Sequence, residues 1–250
     1  MMRESRKSLK LKARRALLGR YPAAVGMFIL TEILCILFLA VMELGGVIIL
    51  AILSPVLNEE MGFLTFLGFF GVLMVIFLWF FCLVLPGYCR FYLNICLGRE
   101  GGVSDIFRGF AEGRFWGVGL VISLIFGLLI TPDIVLTSVM VTMDEVFFPL
   151  IFMSVYNLCL MIAGLYVSFT YGQFYLILAD NPGMALGEAL KESRRLMRGS
   201  RFRLFVLGLS FLGWFALVYI TFGLSILWLV PYMMTTNVYF YLNLKEIHRE

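Results

Sequence analysis

The chain has 250 residues, 62% of them hydrophobic and only 14% charged, with a mean hydropathy of +0.97. A soluble domain is about half apolar and about a quarter charged. A soluble globular fold is therefore excluded, and the solvent for most of this surface is lipid. The net charge is +4, and its placement is uneven: eight basic residues fall between Arg3 and Arg20, opposed only by Glu4. Because this segment runs straight into an apolar span, it reads as a basic interfacial helix over residues 1–21 facing anionic lipid, not as a nucleic-acid arm.

Six apolar spans of about twenty residues follow in order. The first begins near Pro22 and runs past Leu39, too long for the core of a cleaved signal peptide. The second covers about Gly62 to Leu85, and the third runs from near Trp116 to about Pro132. The fourth starts near Val146 and reaches Leu178. The fifth and sixth cover about Leu204–Phe222 and Leu224–Leu242, with Gly223 in a tight turn between them. The expected fold is all-α: a polytopic bundle of six transmembrane helices forming one membrane domain over 1–250, with amphipathic helices on the cytoplasmic side.

With a cytoplasmic N-terminus, the inner segments are 1–21, 86–115, 179–203 and 243–250, and they hold all twenty Lys and Arg residues. The outer loops carry Glu59, Glu60, Asp133, Asp144 and Glu145 instead. Positive charge collects on the cytoplasmic side of short loops, so both termini are expected in the cytoplasm. Seven tyrosines, Tyr88, Tyr92, Tyr171, Tyr175, Tyr232, Tyr239 and Tyr241, fall at the inner ends of the even-numbered spans, as an aromatic belt would place them.

A threefold hairpin repeat over 1–100, 101–180 and 181–250 is visible in the residues. Each unit has a glycine, an arginine and an aromatic at its entry: Gly19-Arg20-Tyr21, Gly113-Arg114-Phe115 and the looser Gly199-Ser200-Arg201-Phe202. Each returning span ends in Phe-Tyr-Leu, at Phe91, Phe174 and Phe240. Between spans, Val103, Ile106, Phe107 and Phe110 form one helical stripe, with Ser104 as N-cap. Leu186, Leu190, Ser193 and Met197 form another, with Pro182 near its start and Glu192 and Arg195 spaced as an i,i+3 pair.

The stretch Ala189-Leu190-Lys191-Glu192-Ser193-Arg194-Arg195-Leu196-Met197, then Arg203-Leu204-Phe205, Leu209-Ser210-Phe211-Leu212-Gly213-Trp214 and Leu227-Trp228-Leu229-Val230-Pro231-Tyr232-Met233, is the most distinctive part of the chain. It resembles the bacterial integral-membrane family called domain of unknown function 975. More distantly, it is similar to the membrane domains fused to some glycerophosphodiester phosphodiesterases. The resemblance implies a basic first helix and several spans, with lipid or envelope work by analogy only. It supplies no catalytic residues.

The residues themselves offer little enzyme chemistry. The single histidine is His248, so Ser-His-Asp, Cys-His and His-rich zinc sets are ruled out. The five cysteines lie in apolar segments without a Cys-x-x-Cys pair and read as packing residues. No catalytic residue, metal site or cofactor is expected. The remaining candidates are intramembrane polar groups. Glu32 and Glu43 are eleven residues apart, hence about 20° apart around a helix and roughly 16 Å along it. With Asn157 they mark a candidate polar path. Arg14, Arg15, Arg20, Arg114, Arg201 and Arg203 are the expected lipid-headgroup contacts. The first reading is a non-enzymatic multi-pass protein supporting envelope or lipid homeostasis, with anionic lipids, a membrane-protein partner or a second copy of itself as partners and no nucleic acid. A small transporter or lipid-translocating protein is the alternative. A membrane-embedded enzyme comes third.

Overall fold

The computed structural model describes residues 4–56, 59–142 and 147–248, without the side chains of 59, 60, 141 and 142. Arg3, Asp144, Glu145 and the expected start of the fourth span at Val146 lie outside the described residues, as do the side chains of Glu59 and Glu60. The described chain is helical, with no strand among the described residues. Its elements are α1 (Arg6–Leu17), α2 (Tyr21–Leu53), α3 (Glu59–Cys96), a short 3₁₀ turn (Val103–Phe107), α4 (Arg108–Ala111), α5 (Gly113–Thr142) and α6 (Phe147–Tyr171). They continue with α7 (Phe174–Asp180), α8 (Leu186–Met197), α9 (Arg201–Leu209), α10 (Leu212–Ile220) and α11 (Ile226–Ile247).

Among the described residues, five stretches are long and apolar enough to cross a membrane: Tyr21–Leu53, Met61–Cys96, Gly113–Met140, Phe147–Asp180 and Arg201–Ile220. Backbone polar groups in lipid must be paired internally, which favours uninterrupted helix. That explains why Pro132 does not end the third span: α5 continues through it to Thr142. The fourth span breaks between α6 and α7 near Gly172, and the fifth breaks at Ser210 and Phe211. The expected turn at Gly223 is present. Phe222 and Gly223 both adopt left-handed backbone, with φ of 50° and 89°.

The sixth expected span forms α11, but α11 is not among the five. Thr235, Thr236, Asn237 and Asn243 lower its hydropathy, and Thr235, Thr236 and Asn243 are buried in protein. Pro231 interrupts the N–H ladder here. Thr235 donates to the Pro231 carbonyl at 2.8 Å and Thr236 to the Tyr232 carbonyl at 2.7 Å, so these hydroxyls find partners within their own helix.

The chain divides into two compact units, Met1–Glu32 with Val84–Arg108 and Leu165–Glu250, and Ile33–Leu83 with Gly109–Gly164. Each draws on several of the expected hairpins.

The first unit is built around α11. The apolar side of α1 (Leu9, Ala13, Leu17) is buried at 0–2% exposure, and α1 packs on α11. This basic helix therefore spends its apolar face on protein. In α8 the buried residues are Ala189, Ser193, Leu196 and Met197, while Leu190 is exposed and helix starts at Leu186, beyond Pro182. The expected aromatic belt is in good part core. Tyr88, Tyr92 and Tyr241 are buried; Tyr92 donates to the Ala24 carbonyl at 2.9 Å and Tyr241 to Asp180 at 2.8 Å. The Phe-Tyr-Leu motif thus marks where returning helices enter this core.

Close packing also fixes the segment after α3. A Cβ on Gly87 would meet the Asp105 carbonyl oxygen at 2.1 Å and Ile106 Cα at 2.6 Å. Glycine lets the 3₁₀ turn lie against α3, burying Ile106. Asp105, not Ser104, organises that turn: it accepts from the Gly102 N–H at 3.3 Å and from Asn94 at 3.2 Å, and pairs with Arg90.

The second unit packs through aromatic pairs. Phe38 stacks on Phe80 with centroids 4.0 Å apart, and Trp79 meets Trp116 edge-on at 5.2 Å. The two indoles donate to the Trp116 and Phe110 carbonyls at 3.2 and 3.0 Å. Much of the remaining surface is exposed Ile, Leu, Val and Phe, as expected of helices facing acyl chains.

Candidate functional site

Of the candidate polar path, Glu32 lies in the first unit, while Glu43 and Asn157 lie in the second. Glu32 and Glu43 are on exposed faces of α2. Asn157 donates to Asp133 Oδ1 at 2.8 Å and to the Met153 carbonyl at 2.9 Å, tying α6 to α5.

The six candidate headgroup arginines separate into three kinds. Arg14 and Arg15 are exposed. Arg20, Arg203 and Arg114 are engaged by the protein. Arg20 donates to the carbonyls of Ile95, Gly98 and Arg99 at 3.3–3.4 Å, closing the C-terminus of α3 where acceptors lack helical partners. Arg203 donates to the Glu4 carbonyl at 2.9 Å and Asn243 Oδ1 at 3.3 Å, with its guanidinium over the Phe240 ring. Arg114 bonds Glu112 at 2.8 Å. Arg201 lines a groove with four other cations.

That groove lies in the first unit, where α8 ends and α9 begins. Its volume is about 770 Å³, and it is lined by Lys191, Arg194, Arg195, Arg198, Gly199, Arg201, Phe202 and Tyr166. Gly199 turns the chain with φ of 75°, a conformation that suits glycine. The turn lets the last residues of α8 and the first of α9 face the same space. Arg201 sits over the Tyr166 ring, 4.9 Å from its centroid, and its buried Nε has no hydrogen-bond partner. Glu192 pairs with Arg195 through two 2.8 Å bonds, which hold that guanidinium charged beyond its ordinary range. Sequence reasoning named Arg201 but missed Lys191, Arg194, Arg198 and Tyr166. The usable signal was the helical spacing of Arg194, Arg198 and Arg201, obscured by the turn at Gly199.

A related arrangement occurs at the N-terminus. Laying Gly19 (φ 78°) on Gly199 matches buried Leu9, Ala13 and Leu17 of α1 with buried Ala189, Ser193 and Met197 of α8. Leu18 N–H bonds to the Arg15 carbonyl as Arg198 N–H does to that of Arg195, both at 3.2 Å. Arg14, Leu18 and Tyr21 then fall on Arg194, Arg198 and Arg201. The first three line a second groove of about 520 Å³ with Trp214, Leu217, Ser225, Trp228, Leu229 and Tyr232. One geometry thus carries a cationic lining at one place and an aromatic lining at the other.

At the start of α1, Lys10 donates to the Ser210 carbonyl at 2.8 Å and stands over the Phe211 ring at 3.9 Å. Burial, then the charge of Arg6, lowers its pKa. Burial by itself would raise the Glu4 pKa. Hydrogen bonds from Lys12 and Ser8, with the charges of Lys12 and Arg203, more than reverse this and leave it below the usual carboxylate range.

A chain whose described residues are helical, with five apolar stretches among them able to cross a bilayer, and a polar, cation-rich packed unit is a membrane-embedded protein. It belongs to the family described as protein of unknown function (DUF975), whose model matches residues 1–248. No curated protein and no solved structure matches the chain.

Proposed function

We propose that this is a non-enzymatic, six-pass protein of the bacterial cell membrane that holds anionic lipid headgroups at its cytoplasmic face and supports lipid or envelope homeostasis. One observation carries the reading. Of the eighteen Lys and Arg among the described residues, seventeen fall in the first unit, and the second holds Arg114. Cations gathered beside exposed apolar surface match the cytoplasmic leaflet, where each Lys or Arg near anionic lipid contributes about 1 kcal/mol. In this reading α11 is the sixth pass, with its polar face turned to the other helices, so both termini are cytoplasmic. The three hairpins descend from one repeated unit, supported by the matching geometry about Gly19 and Gly199.

The test is lipid retention in nanodiscs of mixed phosphatidylglycerol and phosphatidylcholine. The protein is expected to enrich phosphatidylglycerol, and Arg14→Gln with Arg15→Gln is expected to reduce that enrichment. Equal retention of the two lipids by the unaltered protein would sink the reading.

A second reading, a transporter or lipid translocator, has one observation behind it: Glu32 places a carboxylate on an exposed face of α2, inside an apolar stretch long enough to cross a membrane. It requires protein-dependent flux in liposomes that Glu32→Gln abolishes. The lead reading expects no such flux.

A further inference from the structure

We propose that the groove between α8 and α9 is a binding site for a phosphate compound carrying two or more negative charges. The inference deepens the headgroup reading and rests on it for the lipid as one source of that phosphate; a soluble diphosphate is the other.

The charge balance comes first. Five cations line the groove, and Glu192 compensates one of them, Arg195. Among the described residues no carboxylate pairs with Lys191, Arg194, Arg198 or Arg201. Like charges one helical turn apart repel, so this arrangement gains most from an anion that touches several of them. A singly charged headgroup would leave most of the repulsion in place.

The shape and donors agree with this. A volume of about 770 Å³ is well beyond one phosphate and falls within the usual range for small-molecule sites. Arg201 is held by stacking on Tyr166 rather than by an acceptor, and its buried Nε is unbonded. No hydrogen bond among the described residues occupies its two terminal nitrogens, which are therefore available to phosphate oxygens. The N-terminus of the nine-residue α9 opens on the same space, with no side-chain hydrogen bond from its cap residue Ser200, adding backbone donors and the positive end of a helix dipole. Exposed Tyr166 and Phe202, at 54% and 74%, form the apolar flank. An acyl chain attached to the phosphate would lie along them.

The experiment uses the full chain. Phosphatidic acid, phosphatidylglycerol and phosphatidylcholine are compared in nanodiscs, and inorganic pyrophosphate is titrated into the detergent-solubilised protein. Arg194→Gln with Arg198→Gln is the main variant; both residues are exposed, so the fold is retained, which thermal melting checks. Arg201→Lys keeps the charge and removes the fork. Arg99→Gln, an exposed cation elsewhere, is the control.

Phosphatidic acid or pyrophosphate should bind the unaltered protein, with affinity falling about tenfold or more in the double variant and in Arg201→Lys, one charge-assisted bond being worth roughly that factor. Arg99→Gln should bind as the unaltered protein does. Binding of phosphatidic acid alone identifies a lipid source, and binding of pyrophosphate identifies a soluble one. Unchanged affinity in the double variant overturns the proposal. If phosphatidylglycerol enrichment still depends on Arg14 and Arg15, the broader headgroup reading survives that result. If no anionic lipid is preferred over phosphatidylcholine and pyrophosphate does not bind, both fall.

Discussion

The two compact units solve different problems with different residues. The first surrounds α11 with buried tyrosines, threonines and amides whose polar atoms mostly find protein partners, and it holds nearly all the cations. The second has aromatic pairs at its contacts and broad exposed faces of Leu, Ile, Val and Phe. Where water reaches the helices, the hydrophobic effect can bury an apolar stripe such as Leu9, Ala13 and Leu17. Among acyl chains that force is absent, and contacts depend on van der Waals fit and a few hydrogen bonds.

Core truncations should separate the units most clearly. Tyr92→Ala or Phe240→Ala, both at 0% exposure, should destabilise the fold by about 3–5 kcal/mol. Phe66→Ala or Leu128→Ala in the second unit, at 50% and 73% exposure, should stay within about 0.5 kcal/mol. Equilibrium unfolding in mixed micelles reads both. Similar costs in the two units would break the comparison.

Polar pairs should follow the same order with smaller effects. Asp180 accepts from Tyr241 and Lys245 in the first unit, so Asp180→Ala should cost about 2 kcal/mol through the partners it strands. Asn157→Ala, which removes the exposed bond to Asp133, should cost nearer about 0.6 kcal/mol, as interhelical bonds in membranes do.

The smallest expected effect is a pH dependence at Glu4. Its folded pKa lies below the ordinary 4.5, so its stabilisation is complete above that value. It is lost as pH falls through the depressed folded pKa. Melting temperatures recorded from pH 7 downward should drop less steeply for Glu4→Gln than for the unaltered chain. Parallel curves would remove Glu4 from the account.

The sequence was most legible where a single physical cause set the pattern. Long apolar runs become helices because lipid leaves backbone groups no other partners, so each of the five apolar stretches found among the described residues overlaps an expected span, although α3 and α5 run on past theirs to Cys96 and Thr142. Gly223 was readable as a turn because few residues tolerate its backbone. Other features depended on three-dimensional neighbours. Arg20 looks like a headgroup ligand in sequence, and only the nearness of the α3 terminus makes it a helix cap. The tyrosines near the inner ends resemble a belt until Ala24 and Asp180 come within reach of their hydroxyls. The basic groove was half visible: Arg201 stood out, but its joining with Arg194 and Arg198 required the turn at Gly199.

The central claim is that the cation-rich unit faces the cytoplasm and that α11 completes a sixth pass. The most direct measurement introduces single cysteines at Ser5, Val56 and His248, with Cys159 replaced by serine, and labels intact cells and then lysed cells with a membrane-impermeant maleimide. The account predicts that Val56→Cys is labelled from outside, whereas Ser5→Cys and His248→Cys are labelled only after lysis. Labelling of His248→Cys in intact cells would leave five passes and opposed termini, and labelling of Ser5→Cys there would invert the orientation; either result contradicts the account.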